Sequence, residues 1–447
     1  MNSAPRAEWW RPPPVAAFAP ALAAASTPAA RTSSGRLSFR ALLAFTFILV
    51  LAPQAYFPPL RPLRIALIAA VAGIGAQLIE RLRHGQPVTV SAREIWLTAG
   101  LVAWAVVTIP FSYWPGGSTS FLLDAYFKTV AIFWLLANAV DSLDRLRTLA
   151  WCLTAMGVPL ALTAMKNFLS GAFIATDRIV GYDAGLTSNP NDLALMLNLL
   201  LALGVGLLLS SRTTIERAIL ISIVLLEAAG VVVTFSRAGF LSLSAGLALG
   251  LWRLFRRGAA GWALAGVLAC GVGAALLPGS YMARLATITD IDADPTGSAQ
   301  ARWGDTLAAL QFVRDHPLVG AGVGMDTLAL NEVRGALWKE VHNAYLEYAV
   351  DLGLPGLALF AVLFACCVRR VRFVRRHTGP EPGSWELSCL AEGIEIALLA
   401  FGVGALFSPV AYQFYFYYLA GIAVAAGRIH RTLRPAEYGR REWASAS

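Results

Sequence analysis

Long apolar segments recur along almost the whole of this 447-residue chain. A transmembrane helix needs about 20 predominantly apolar residues, and roughly twelve segments reach that length. Only 14% of the residues are charged, too few to cover the surface of a soluble protein of this size. The sequence therefore predicts an all-α polytopic integral membrane protein. Its spans are expected to begin near Phe39, Pro62, Glu94, Phe121, Leu146, Asn191, Thr214, Ala238, Ala259, Ala344, Glu386 and Ala411.

Positive charge is distributed unevenly between the predicted loops. The chain has 36 Lys and Arg residues against 27 Asp and Glu residues, a net charge of +9. With both termini placed in the cytoplasm, most of the basic residues fall in cytoplasmic loops and tails, as the positive-inside rule expects. Membrane topology thus explains the basic excess, and the charge does not require a nucleic-acid partner.

The predicted topology divides the chain into five segments. Residues 1–36 are expected to form a disordered cytoplasmic tail, and residues 429–447 a second cytoplasmic tail. Helices one to nine occupy residues 37–277, and helices ten to twelve occupy residues 344–428. The large external loop 278–343 lies between these two groups and is expected to carry part of the active site.

The large loop has a predicted helix of its own. Ser298 is expected to cap a helix over residues 299–315, which His316 and Pro317 end. Loops with internal structure are usually functional. An apolar stripe on this helix is formed by Trp303, Leu307, Leu310 and Phe312.

Two basic residues stand at predicted external turns. Arg178 precedes Asn189 and Asn191, either of which can cap the next span and leave N–H groups that favour an anion. A well-capped helix explains this segment equally well. Arg237 lies in a very short turn between two spans, with no carboxylate close to it in sequence. A cation at the membrane edge favours either lipid headgroups or an anionic ligand.

Two more candidates belong to the large loop and its exit. Arg302 lies one turn into the loop helix, and His342 stands at the mouth of a span, close to Tyr345 and Tyr348. Positive charge nearby would lower the pKa of His342 and keep the imidazole neutral, as a general base requires.

A metal site is not expected. The acidic turn Asp290–Asp294 resembles the start of a calcium loop, but that loop needs Gly after the third acid and Glu at the twelfth position. Pro295 and Ala301 occupy those positions, so a solvated acidic turn is the preferred interpretation. The sequence indicates no cofactor.

Ionisable residues within predicted spans keep a solute transporter open as an alternative, because such residues are functional candidates by default. The chain lacks the paired broken helices and the internal repeat that are typical of transporters. The residues concerned are Asp124, Lys128, Lys166, Glu227, Glu347, Asp351, Glu392 and Glu395.

Taken together, these motifs resemble the bacterial O-antigen ligases and the related Wzy-type polymerases, and the resemblance covers most of the chain. The most specific motif is His, then Asn, Ser or Gln, nine residues, Gly, two residues, and then Gly, Thr or Tyr. Here it is formed by His342, Asn343, Gly353 and Gly356. The segments 178–191, 236–239 and 316–322 are also similar to the family.

This resemblance implies a GT-C-like, metal-independent and inverting glycosyltransferase of the bacterial inner membrane, with its active site on the periplasmic side. The donor would be a glycan on undecaprenyl diphosphate, and the acceptor a sugar hydroxyl of the lipid A-core oligosaccharide, with membrane lipids around both. A polymerase or a protein O-oligosaccharyltransferase remains an alternative. The implied catalytic residues are His342, Arg237 and Arg302, and the implied substrate-binding residues are Arg178, Asn189, Asn191 and Tyr345.

Overall fold

The computed structural model describes residues 35–174, 178–183, 185–258, 279–286, 297–377 and 383–434, together with positions 261, 264, 266–268 and 379. The predicted tail 1–36 therefore lies almost wholly outside the described residues. So does most of the tail 429–447, although its first residues continue the last helix.

Helices dominate the described residues. The short strands β1 (Phe173–Ile174) and β2 (Arg178–Ile179) pair antiparallel. Single turns of 3-10 helix lie at Pro58–Leu60 and Ile109–Phe111, and a π-helical segment, Leu122–Tyr126, joins two helices. The α-helices are α1 (Arg36–Leu51), α2 (Pro53–Tyr56), α3 (Ile65–Arg83), α4 (Arg93–Thr108), α5 (Pro115–Phe121), α6 (Phe127–Ala139), α7 (Leu143–Leu169), α8 (Pro190–Ser210), α9 (Thr214–Val233), α10 (Arg237–Arg256), α11 (Gly279–Ala286), α12 (Ser298–Asp315), α13 (Asp326–Arg334), α14 (Ala344–Arg376), α15 (Ser384–Gly404) and α16 (Phe414–Leu433).

Eight helical segments within the described part of the chain are long and apolar enough to cross a membrane, so the protein is a multi-pass membrane protein. The expected number of about twelve spans is not confirmed. The predicted span near Phe39 is the 16-residue α1, and the one near Ala259 lies largely outside the described residues. Those near Thr214 and Ala411 correspond to α9 and α16. The eight segments are Ile65–Arg83, Arg93–Phe111, Pro115–Ala139, Leu143–Leu169, Pro190–Ser210, Arg237–Arg256, Ala344–Arg376 and Ser384–Gly404.

The centre of the bundle is formed by α8, α15 and α16, whose residues are mostly buried. Gly206 of α8 and Gly393 of α15 meet where these helices cross. A Cβ atom on Gly393 would lie 2.9 Å from the Gly206 Cα, so the two backbones can approach only because both residues are glycines. Such small-residue crossings are a common way to pack helices in membranes.

Most buried carboxylates have ion-pair partners. Glu94 on α4 accepts hydrogen bonds of 2.7 and 2.6 Å from Arg370 on α14. Glu392 and Glu395 on α15 both pair with Arg253 on α10. Further partners are Arg257 for Glu392, and Arg372 and Arg375 for Glu395. These contacts tie α4, α10, α14 and α15 together, which gives Glu392 and Glu395 a structural role.

The remaining candidates for a transporter site behave differently from one another. Asp124 and Lys128 form a pair at 3.4 Å, and their side chains are 79% and 54% exposed. Lys166 is also exposed. Glu227 is fully buried, and neither of its carboxylate oxygens has a hydrogen-bond partner among the described residues.

The loop helix forms where it was expected, as α12, but it is capped and oriented differently. Its N-cap is Gly297 rather than Ser298, and no side chain caps it. Trp303, Leu307 and Leu310 are about half exposed, whereas Phe312 is buried. Of the apolar stripe only Phe312 belongs to the packing face, which it forms with Asp305, Ala308 and Ala309.

A break in α14 fixes the loop against the bundle. Gly353 has φ 68° inside the helix, and Pro355 removes the amide that would bond the carbonyl of Asp351. That carbonyl instead accepts from the amide of Gly322 at 2.8 Å, and the Leu354 amide donates to Pro317 at 2.8 Å. The backbone groups released by the kink thus hold the turn 317–324 in place.

Candidate functional site

One cavity brings Arg237, Arg302 and His342 together at the end of the bundle that carries the loop helices. Its empty volume is about 840 Å³, counted with the open space at its mouth, a size within the range of small-molecule sites. The three residues come from α10, α12 and the segment before α14, and successive members lie 65 and 40 positions apart in sequence. The other lining residues are Ala238, Leu241, Ala299, Trp303, Thr306, Leu406 and Phe407.

Arg237 is presented by a tightly bonded turn between α9 and α10. Phe235 adopts φ 56°, which is uncommon for a residue with a side chain, and its ring packs against Phe168 and Phe173. Ser236 caps α10 by accepting from the Gly239 amide at 3.1 Å. Arg237 is therefore the first residue of a helix whose start is fixed by both packing and hydrogen bonds.

The Arg237 guanidinium reaches across to the start of the loop helix. Its Nη2 donates to the hydroxyl of Ser298 at 2.8 Å. The serine that was expected to cap α12 is instead an acceptor for a cavity arginine. This contact joins the transmembrane helix α10 to the loop helix α12 at the wall of the cavity.

Arg302 lies on the face of α12 that lines the cavity, between Ala299 and Thr306. The Thr306 hydroxyl donates a hydrogen bond of 2.9 Å to the Arg302 carbonyl, so the Thr306 side chain stays close to the backbone of α12. Arg237 is the first residue of α10, where backbone N–H groups and the helix dipole also favour an anion, and Arg302 lies one turn into α12. The site is thus suited to a ligand with negative charge.

His342 lines the same cavity two residues before α14, and 32% of its side chain is exposed. Its Nδ1 lies 3.1 Å from the carbonyl oxygen of Glu340. Because a carbonyl oxygen only accepts, Nδ1 carries the proton of this hydrogen bond, and Nε2 keeps a lone pair in the neutral ring. This is the tautomer that a general base needs.

The pKa of His342 is lowered, first by burial and second by the positive charge of Arg302. Asp305 and the hydrogen bond to Glu340 oppose this shift in the pKa, and Lys339 adds to it. The sequence-based expectation of a depressed pKa is confirmed in direction, with burial rather than charge as the larger cause.

Hydrogen bonds hold the backbone on both sides of His342. The Asp326 carboxylate at the start of α13 accepts from the Val341 amide at 2.9 Å, directly before the histidine. Asn343 caps α14 by accepting from the amides of Tyr345 and Leu346 at 3.0 and 3.1 Å. The Asp351 carboxylate accepts from the Gly324 and Met325 amides at 2.7 and 3.0 Å, which fixes the turn before α13.

Arg178 is not among the residues that line the cavity. Arg178 belongs to β2 and interacts electrostatically with Asp192 at the start of α8. Asn189 caps α8 by accepting from the Asn191 amide at 2.9 Å, which confirms the predicted cap. The Asn191 side chain accepts from the Ser236 hydroxyl at 2.8 Å. Asn191 therefore supports the turn that presents Arg237.

Tyr345 is also absent from the cavity lining. Its hydroxyl donates to the Gly402 carbonyl at 2.9 Å, and its ring packs against Phe360. The hydrogen bond connects α14 to α15, and the ring contact lies within α14.

Sequence reasoning missed several cavity residues and one buried acid next to them. Thr306 follows Arg302 by four positions and Trp303 follows Ala299 by four, so the helical period could have placed each pair on one side of α12. Leu406 and Phe407 come from the loop after α15, and no sequence signal indicated them. Asp305 is buried and pairs with Arg334, while its Oδ2 lies 3.9 Å from the His342 Nδ1.

Within the described residues, no group of three or more His, Cys, Asp or Glu side chains is arranged to hold a metal ion. The acidic turn Asp290–Asp294, which was interpreted as solvated, lies outside the described residues.

Comparison with known proteins supports the resemblance that the motifs indicated. Residues 220–361, about a third of the chain, match the family model described as O-Antigen ligase. The matched region contains Arg237, Arg302 and His342, so all three polar cavity residues named at the outset fall within it. A search among curated proteins found no match to this chain. The family match supports an activity of the O-antigen ligase or polymerase type.

Proposed function

We propose that the protein is an O-antigen ligase, which transfers a glycan from undecaprenyl diphosphate to a sugar hydroxyl of lipid A-core oligosaccharide at the periplasmic face of the inner membrane. The observation that carries this proposal is that Arg237, Arg302 and His342 line one cavity within the region that matches the family model. A cavity that combines two permanent cations with a neutral imidazole suits a reaction with an anionic leaving group and a hydroxyl nucleophile.

The arginines act on the leaving group. As the glycosidic bond breaks, its electron pair goes to the terminal oxygen of the diphosphate, and negative charge develops there. Arg237 and Arg302 offer planar donors that bind phosphate oxygens in pairs and never lose their charge. Because they bind this charge more strongly as it grows, they stabilise the transition state.

His342 acts on the nucleophile. Its Nε2 takes the proton of the acceptor hydroxyl, while the hydroxyl oxygen forms the new bond to the anomeric carbon from the side opposite to the diphosphate. One bond forms, one bond breaks, and the proton ends on the imidazole. Direct displacement of this kind inverts the anomeric centre, and its steps need no metal ion.

The predicted substrate-binding residues support the catalytic residues in this mechanism. Asn189 and Asn191 hold the start of α8 and, through Ser236, the turn that carries Arg237. Arg178 is a candidate for contacts to the glycan or to the second phosphate. Tyr345, whose hydroxyl already donates to Gly402, is best assigned to packing.

Purified protein mixed with the lipid-linked donor, with and without lipid A-core, tests the proposal. A ligase forms product only when both substrates are present, whereas a polymerase extends the donor alone. Full activity after treatment with EDTA is expected, and a strict requirement for a divalent cation would contradict the metal-independent mechanism. Absence of transfer under every condition would contradict the assignment as a whole.

A further inference from the structure

Asp305 is a buried carboxylate beside the cavity that the scheme above does not use. Its side chain is 6% exposed, and its Oδ1 pairs with the guanidinium of Arg334. The other oxygen, Oδ2, faces the Nδ1 of His342 at 3.9 Å. The same carboxylate therefore lies between a fixed cation and the proton-bearing nitrogen of the candidate base.

Arg334 contacts both Asp305 and the segment that leads to His342. It also donates through Nη2 to the carbonyl of Lys339, in the segment that leads to His342. The guanidinium thus bridges α12 and the 339–342 segment, with Asp305 and the Lys339 carbonyl as its two acceptors. A buried carboxylate without such a partner would be costly, so the ion pair with Arg334 stabilises Asp305 in its place beside the histidine.

We propose that Asp305 is a positioning residue for His342, which orients the imidazole through Nδ1 and stabilises the imidazolium formed when Nε2 takes the proton of the acceptor. This inference rests on the proposed function. The Glu340 carbonyl selects the tautomer, and the Asp305 carboxylate supplies the negative charge that a carbonyl lacks. The arrangement resembles in principle the way an acid supports a histidine base in other hydrolytic and transfer sites.

The charges around His342 determine how this effect appears in a titration. Arg302 and Asp305 face it from α12, Lys339 and Glu340 precede it in the chain, and Arg237 lines the same cavity from α10. Asp305 favours the charged imidazole, whereas Arg302 and Lys339 disfavour it. Removing the charge of Asp305 alone therefore shifts the protonation of His342 to lower pH.

The test uses Asp305→Asn in the full-length protein, with two readouts. Asparagine keeps the shape of the side chain and an oxygen that still accepts from Arg334. The first readout is the pH dependence of glycan transfer. The second is the pH dependence of His342 carbethoxylation by diethyl pyrocarbonate, followed by peptide mass spectrometry, which requires no transfer activity. Asp315→Asn is the matched control, since Asp315 is an exposed acid on the same helix.

We expect Asp305→Asn to lower the maximal transfer rate about tenfold and to move the His342 midpoint about one pH unit lower in both readouts. Asp315→Asn should leave both at their wild-type values. A loss of rate without any shift of the midpoint would mean a merely structural role and would overturn the inference, as would a wild-type rate and midpoint.

A second variant covers the case in which Asp305→Asn folds poorly. The double variant Asp305→Asn with Arg334→Gln leaves no buried unpaired cation. Its His342 midpoint should still be lower, and its maximal rate of glycan transfer still reduced, relative to the wild type. If the wild-type protein transfers no glycan, the proposed function fails, and a carbethoxylation midpoint that still shifts would show that the two side chains interact. A midpoint identical to that of the wild type overturns the inference on its own.

Discussion

Ser298 accepts a hydrogen bond of 2.8 Å from the Nη2 of Arg237, and this contact connects the first turn of a transmembrane helix to the first turn of a loop helix. The cavity has one wall on each of these two helices. The orientation of Arg237 towards the cavity therefore depends on a residue 61 positions away in the chain.

Replacing Ser298 tests the importance of this contact. A hydrogen bond to a charged group contributes about 1.5–3 kcal/mol, and Arg237 keeps other interactions, so we expect Ser298→Ala to lower kcat about tenfold. Ser298→Thr, which keeps the hydroxyl, should retain most activity, and Ser170→Ala, an exposed serine, should behave as wild type. Equal activity of the Ala and Thr variants would contradict an orienting role for the hydroxyl.

The arginines of the cavity should affect catalysis more than binding. Arg237→Ala and Arg302→Ala are each expected to lower kcat about 10²–10³-fold, with a smaller change in KM, because they act on charge that develops in the transition state. Arg302→Lys keeps the charge and loses the planar fork, so a partial loss is expected. Arg314→Ala, an exposed arginine on the same helix, is the control. A rise in KM at unchanged kcat would assign the arginines to ground-state binding instead.

The pH dependence of transfer reports on His342. Burial and Arg302 lower the pKa of this histidine. The imidazole therefore stays neutral at pH values below about 6.5, the ordinary pKa of a histidine side chain. Activity, measured as kcat/KM, should be lost only as pH falls through this lowered value, where the imidazole becomes protonated. In the Arg302→Gln variant, the acid limb of the pH profile, measured on the activity that remains, should move to higher pH. If the acid limb of the wild-type protein had its midpoint at about pH 6.5 or higher, the assignment of His342 as the base would be contradicted.

Gly353 should be irreplaceable for the attachment of the loop. Its φ is 68°, and a Cβ atom there would lie 2.2 Å from the carbonyl oxygen of Leu318. Gly335 has a similar backbone conformation, φ 85°, but open space around it. We expect Gly335→Ala to cost about 1 kcal/mol of stability and Gly353→Ala several times more, measured by thermal unfolding of the purified protein. Equal losses would show that strain alone, without the clash, accounts for both.

Much of this architecture could be predicted from local sequence. The position of His342 just before a helix, the cap at Asn189 and the end of α12 at Asp315 all follow from residues a few positions apart. Such features depend on capping and on backbone chemistry, both of which act over a single turn.

Other features depend on contacts that local sequence does not encode. Ser298 was expected to cap its own helix because nothing in sequence links it to Arg237. Trp303, Leu307 and Leu310 form an apolar stripe in the sequence, yet they are about half exposed. In a membrane protein an apolar residue is stable against either protein or lipid, so periodicity does not tell which face packs inwards. The ion pairs of Glu392 and Glu395 likewise join helices that are distant in the chain.

The most direct test of the central claim is glycan transfer by purified protein from undecaprenyl diphosphate to lipid A-core, followed as a mobility shift of the acceptor on a gel. The wild-type protein and His84→Gln, an exposed histidine far from α14 in sequence, should form the product. His342→Gln should slow transfer by about 10²–10⁴-fold at normal protein levels. Transfer by His342→Gln at the wild-type rate would contradict the account.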